Sequence, residues 1–373
     1  MSCDESKESK KSRVSITVTN IEDNTISHNN RSDRKDSLSI PETSRQETSD
    51  GVREFAPRTT SGSLGKMLMK ASTMTLAQKN KKPEYFARLG KKENWFYDSK
   101  ELELEPKPFA HGACGSVFRG KFRTLGVCVK QVSNSSKLSD VKDMLRELAV
   151  WAHIRHPYIV LFMGACYTLD TGMEIMMEDM KGGDLGSAVK NGKLSRSASI
   201  EAILCVTQAV AFLHGNKPPI LHRDIKPANI LFDGHGNAKL SDFGLCRLLD
   251  FDNGHYEMTG KCGTLRYMAP EVLRCEKYNE KCDVYALGLL LIFCLSKTPP
   301  FAAYNREKRE KFSLQKQDYK VPVHIKKQIS FGCIKFAEDC GVDNPTKRPS
   351  ARECAKMLEL LLVDSSKQCC TIS

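Results

Sequence analysis

The run Leu221-His222-Arg223-Asp224-Ile225-Lys226-Pro227-Ala228-Asn229-Ile230-Leu231 constrains this chain more than any other stretch, and Ser241-Asp242-Phe243-Gly244 follows shortly after it. An apolar-periodic segment from Ile200 to His214 delivers the run through Lys217-Pro218-Pro219-Ile220. Within it, an aspartate able to accept a proton stands beside a lysine and an asparagine. The second motif adds an aspartate able to meet a metal. Phosphoryl transfer asks a protein for such groups, because its catalysis is mostly positioning and charge neutralisation. Either motif alone arises by chance; their order and spacing together do not.

The first run resembles the catalytic loop of protein kinases, H-R-D-x-K-x-x-N, and the second resembles their metal-binding D-F-G. The resemblance implies an α+β, two-lobed protein-kinase fold: a small β-rich lobe with one key helix and a larger, mostly helical lobe. It also implies ATP and Mg²⁺ as cofactors and protein substrates as partners. By that resemblance Asp224 orients the acceptor hydroxyl and takes its proton, Lys226 neutralises the moving γ-phosphoryl, and Asn229 with Asp242 holds Mg²⁺. Magnesium suits such a site, since it keeps several waters and binds few carboxylates plus phosphate oxygens. Lys226 favours serine or threonine as acceptor, because tyrosine kinases usually lack a lysine there.

Upstream, Phe109-Ala110-His111-Gly112-Ala113-Cys114-Gly115-Ser116-Val117 reads as strand, flexible turn and strand. Glycines let backbone N–H groups close over phosphates where a side chain would intrude. The run is similar to the kinase glycine-rich loop, and Ala110 stands where its first glycine is expected. Val127-Cys128-Val129-Lys130 is similar to V-A-I-K, which makes Lys130 the expected partner of the α- and β-phosphates. Asp140 to His153 carries a helical period and supplies Glu147 as the partner of Lys130. Trp151 lies one turn on from Glu147, where the family has a smaller apolar residue. Ile159 to Cys166 is worded like the tyrosine-kinase-like group, which includes Raf and the mixed-lineage kinases. Met173 to Met180 resembles the last small-lobe strand and the hinge, with Met177 at its back and backbone groups of Glu178 and Met180 offered to adenine. Leu231 completes the nucleotide-binding set.

Asp242 to Glu271 resembles the activation segment, closing in a G-T-x-x-Y-x-A-P-E pattern. Thr259 is its expected phosphorylation site, with Arg223 placed to pair with the phosphate, and Tyr256 and Thr264 compete with it. Asp283 resembles the aspartate that braces the catalytic loop, and Arg348 the arginine that pairs with Glu271. Two rivals to an active Ser/Thr kinase are a pseudokinase scaffold and a dual-specificity enzyme. Ala110 and Trp151 speak for the scaffold; intact Lys130, Glu147, Asp224, Asn229 and Asp242 speak against it.

The resemblance sets three regions: a basic regulatory tail at 1–92, a kinase domain at 93–363 (small lobe 93–180, large lobe 181–363) and a flexible tail at 364–373. Ser, Thr, Asn, Lys and Glu dominate the first, and such composition buries too little apolar surface to offset conformational entropy. The first reading of this tail is a solvated segment with an incidental apolar patch. The alternative puts an upstream kinase and signalling partners there, at Ser37 and Ser61 after basic residues, at a docking-like Lys10 to Ile16, and a partner or anionic lipid on a basic amphipathic stretch over 64–74. About half of the net charge of +12 lies in this tail without basic–aromatic alternation, which argues against a nucleic-acid partner. The chain shows no uninterrupted apolar run of membrane-spanning length and no leader-like start. Its 15 cysteines are scattered singly apart from Cys369-Cys370, as in small buried hydrophobes of a reducing, cytoplasmic protein. Cys370-Thr371-Ile372-Ser373 fits C-a-a-X, which predicts farnesylation of Cys370 and membrane association through it.

Overall fold

The computed structural model describes residues 87–88, 90–92, 94–112, 115–132, 148, 150–168, 170–243, 247–248 and 264–370. Ala113, Cys114, Glu147, Tyr256 and Thr259 lie outside the described residues, as do the tail to residue 86 and the last three positions. For Cys370 the backbone is described and the side chain is not.

Alternating apolar runs build the first half. Strands β1 (Leu102–Leu104), β2 (Ala110–Gly112), β3 (Gly115–Phe122), β4 (Leu125–Val132), β5 (Phe162–Thr168) and β6 (Gly172–Glu178) form one antiparallel sheet. Its order is β1-β3-β4-β6-β5, with β2 turned back on β3. Side chains alternate across such a sheet. Val127 and Val129 therefore join Tyr97, Cys166 and Met176 on the outer face, while Cys128 joins the main core on the inner face. Trp95 is buried in the main core, its carbonyl accepting from Ala165 N at 2.9 Å. Helical turns at 150–153 bring Trp151 against the inner face.

The chain then passes through Met180 into a lobe that is mostly helical. Short strands β7 (Gly183–Asp184), β8 (Ile220–Leu221), β9 (Ile230–Phe232), β10 (Ala238–Leu240) and β11 (Arg247–Leu248) pair as β10-β9-β7 and β11-β8. The helices are α1 (Leu185–Lys190), α2 (Arg196–His214), α3 (Pro270–Leu273), α4 (Lys281–Ser296), α5 (Arg306–Leu314), α6 (Val323–Lys326), α7 (Phe331–Cys340) and α8 (Ala351–Cys370). The expected two-lobed α+β arrangement is thus the one observed.

Ser195 starts α2 by accepting from Ala198 N at 3.1 Å, satisfying one of the N–H groups a helix start leaves open. By length and composition α2 is apolar enough to cross a membrane, although polar residues interrupt its apolar ones. Ile200, Ile203, Val206, Val210 and Leu213 instead bury it against its neighbours. Helix α4 is apolar on every face and lies at the centre of the lobe. Gly288 lets α7 approach it closely: a Cβ there would sit 2.6 Å from Cys340 Cβ. Onto this rigid axis the lobe hangs its loops, and Asp283, on the first turn of α4, faces the one that matters most.

Candidate active site

Strand β8 ends at Leu221, and the next residues are held by hydrogen bonds rather than by regular structure. Asp283 accepts from the backbone N–H of His222 (2.9 Å) and of Arg223 (2.8 Å), and from His214 Nε2 (2.9 Å). Burial alone would raise its carboxyl; the His214 hydrogen bond and charge, with the His222 contacts, hold it below the usual carboxylate range. Arg223 takes φ 65°, a left-handed conformation costing a non-glycine residue on the order of 1 kcal/mol. The two clamped amides sustain that strain, and the turn aims Asp224 at the cleft.

Asp224 is 5% exposed and its two oxygens are treated differently. Oδ2 accepts from Lys226 Nζ at 2.6 Å and Asn229 Nδ2 at 2.9 Å. Oδ1 is buried and has no hydrogen-bond partner among the described residues. A buried carboxylate oxygen without a donor is costly, so it marks a place prepared for one. Asn229 sits in a short turn begun by Pro227, and its amide nitrogen also reaches the Asp224 carbonyl at 2.8 Å. With that nitrogen committed, the amide oxygen is the atom it can give to a cation.

The next motif is tied to the first. Ser241 N and Oγ both donate to the Asn229 carbonyl, at 2.8 and 2.9 Å, and His222 Nε2 meets the Ser241 carbonyl at 3.0 Å. Asp242 adopts φ 64° and its Oδ1 lies 2.9 Å from Lys130 Nζ. Burial would raise the Asp242 carboxyl, but the Lys130 ammonium, helped by His222 and Lys226, holds it low and charged. Its side chain is still 40% exposed at the cleft. An amide oxygen and a carboxylate facing one opening suit a hard cation that keeps its water.

Phe243 anchors this strained turn. It is fully buried, stacked on Trp151 (centroids 5.6 Å, planes 27° apart) and edge-on to His222 (5.2 Å). Trp151 in turn donates from Nε1 to the Val160 carbonyl at 2.8 Å. Its size, left unexplained by pattern reading, lets it span two elements that a smaller apolar residue would leave unbridged.

The strand side and the hinge supply apolar groups. Val117 and Cys128 on β3 and β4, Met177 and Met180 at the hinge, and Leu231 on β9 all belong to the main core. Glu178 commits its carboxylate to Lys239 Nζ (2.8 and 2.9 Å) and Leu161 N (2.7 Å), leaving only its backbone to a ligand. Cys128 donates its thiol to Asp179 Oδ1 at 3.3 Å; burial and that carboxylate push the thiol up to about 12. Arg119 reaches Asp179 at 3.8 Å and stacks on Phe109 at 4.5 Å. This cluster escaped sequence reading, and only the cysteine in a V-x-V-K run hinted at it. His111 and Ser116 meet across the loop at 3.1 Å. Gly115 has φ 151°, and a Cβ would lie 2.0 Å from the Gln131 carbonyl oxygen, so no side chain fits. Ala110 pairs with Val117 as an ordinary strand residue, where a Cβ is accommodated.

Arg348 and Glu271 form a two-pronged pair, both bonds at 2.7 Å. Arg223 Nη1 donates to the Tyr278 hydroxyl at 2.6 Å.

Residues 107–358 match the family described as protein kinase domain. Serine/threonine-protein kinase VIK of Arabidopsis thaliana is 31% identical over 279 residues, covering 72% of this chain and 62% of that protein. Serine/threonine-protein kinase 12 of the same plant is 32% identical over 273 residues, covering 70% and 58%. The chain spans less than two thirds of these relatives, and as little as 15% of other proteins it matches.

Proposed function

The chain belongs to the protein kinase family, and from that premise we propose that it transfers the γ-phosphoryl of Mg·ATP to serine and threonine hydroxyls of protein substrates. The observation that carries this reading is the divided state of Asp224: one oxygen held by Lys226 and Asn229, the other buried and without a donor. A substrate hydroxyl is the donor that oxygen lacks. Asp224 orients it and takes its proton late in transfer, while Lys226, 2.6 Å from the same carboxylate, offsets charge on the moving group. Lys130 serves the nucleotide phosphates, and the Val117, Cys128, Met177, Met180 and Leu231 side chains exclude water around the base. Asn229 and Asp242 hold Mg²⁺, which when bound neutralises phosphate charge. Ala110 and Trp151, the two residues that favoured a scaffold, are both compatible with turnover: one fits its strand and the other steadies Phe243.

Finer points of the reading rest on motif wording. We place the enzyme in the tyrosine-kinase-like group, on the Ile159 to Cys166 run. We place its control at Thr259, whose phosphate would compete with Tyr278 for Arg223.

Purified protein incubated with Mg·ATP and a generic acceptor tests the reading. Phosphoserine or phosphothreonine should form, and Asp224→Asn should slow it by about 10²–10⁴-fold. Lys130→Met should abolish it as well. ATP binding without any phosphate transfer would move the reading to the scaffold.

A further inference from the structure

The strongest unexplained group outside this machinery is a buried cation with two donors that find no acceptor among the described residues. Arg309, on the first turn of α5, is 2% exposed. Its Nη2 donates to the Met268 carbonyl at 2.6 Å and reaches the Tyr285 hydroxyl at 3.5 Å. Its Nε and Nη1 are buried with no acceptor among the described residues. The Phe301 ring covers the guanidinium at 4.2 Å. Desolvation accordingly weakens its hold on its proton. A residue needed only as a strut would be better apolar here, because a buried guanidinium with two idle donors opposes folding.

The surroundings say what would use those donors. Arg309 lines a shallow cleft with Leu265, Arg266, Tyr304 and Arg306. Three guanidiniums converge on it. Arg266 is partly spent on the Phe301 carbonyl at 2.8 Å, and Arg306 on Glu310 at 2.9 Å in an exposed pair. The next residues along the chain, Tyr267 and Met268, line a second cavity together with Asp224. A peptide presenting a hydroxyl to Asp224 therefore passes within a few residues of the cationic cleft.

We propose that this cleft receives an anionic side chain of the protein substrate, a carboxylate or a phosphate, near the acceptor serine or threonine, so that the enzyme selects acidic sequences. The proposal rests on the kinase reading above. Guanidinium forks bind such oxygens in pairs, and the aromatic walls exclude the water that would weaken the bond.

The test is a set of acceptor peptides that differ only in one residue, neutral, glutamate or phosphoserine, stepped along both sides of the acceptor. Turnover and direct binding are measured for the full chain and for Arg309→Met. One acidic register should be favoured over neutral by about tenfold in kcat/KM. That ratio should fall to about one in Arg309→Met, whose melting temperature should not fall. The exposed Arg306→Gln should reduce the ratio by about two- to threefold and serves if the first variant does not fold. Equal use of all peptides by the unaltered chain would overturn the cleft and leave the kinase reading intact. So would an undiminished preference in both variants. Silence toward every peptide, with the acidic one still bound through Arg309, would sink the enzymatic reading and support the cleft. Glutamate and phosphoserine arms tell which anion it takes.

Discussion

The two sides of the cleft are held by different forces. The large-lobe side, residues 222 to 229, is fastened by short hydrogen bonds that converge on one buried carboxylate, Asp283. The opposing side, where Lys130 meets Asp242, is steadied around Phe243 by ring packing against Trp151, which is itself tied to the Val160 carbonyl. Directional bonds fix a loop in one geometry and fail all at once. Stacked rings tolerate sliding and lose their grip gradually. A base that must meet a hydroxyl to within a fraction of an ångström belongs on the first kind of support. Groups that admit and release a nucleotide belong on the second.

Removing the anchor of the fastened side should have the largest effect. In Asp283→Ala, two backbone amides and His214 lose their acceptor inside the protein, which should cost about 3–5 kcal/mol in unfolding experiments. Near-normal stability would mean that the loop is held by something else. On the stacked side, Trp151→Leu removes the ring stack and the bond to Val160 together. Its kcat should fall by about tenfold or more through misplacement of Asp242. Trp151→Phe keeps a ring and should recover most of kcat, losing about 1 kcal/mol with the bond to Val160. If leucine and phenylalanine behave alike, stacking is not what steadies Phe243.

Acid should separate the contributions more gently. Burial pushes His156 down to about 4, and its neutral Nδ1 accepts from Tyr158 N at 3.2 Å. With a folded pKa below the unfolded one near 6.5, the unfolded chain takes up a proton first. Stability should therefore decline as pH falls from about 6.5 toward 4. Asp283 and Asp242 are held below the ordinary carboxylate value, so their contribution is present above that value and fades only at lower pH. Melting curves against pH should show two descents, and His156→Gln should flatten the upper one alone.

How far the chain could be read beforehand follows the same division. Residues 222 to 229 are consecutive, so the chemistry of the fastened side is written in one line of text, and Asp283 and Arg348 announce themselves by their own short motifs. The antiparallel sheet and the long helices follow from periodicity, as at α2. The stacked side is assembled from positions 117, 128, 151, 177 and 243, which meet only after folding. Trp151 could be seen as unusual, yet its purpose needed Phe243 and Val160 beside it. Arg309 lies in a run of charged residues from Arg306 to Lys311 and nothing there marks it as the buried one; the packing of Phe301 and Met268 decides that. Ala110, a departure from the glycine-rich pattern in the sequence, pairs with Val117 at an ordinary strand position.

The chain contains two tryptophans, Trp95 elsewhere in the main core and Trp151 in the stack. An indole pressed on another ring and bonded to a carbonyl emits differently from one released into a looser setting. With Trp95 replaced by phenylalanine, ultraviolet emission would come from a single fluorophore seated on the aromatic partner of Asp242. The molecule would then act as its own optical gauge of that contact, readable millisecond by millisecond and without a label.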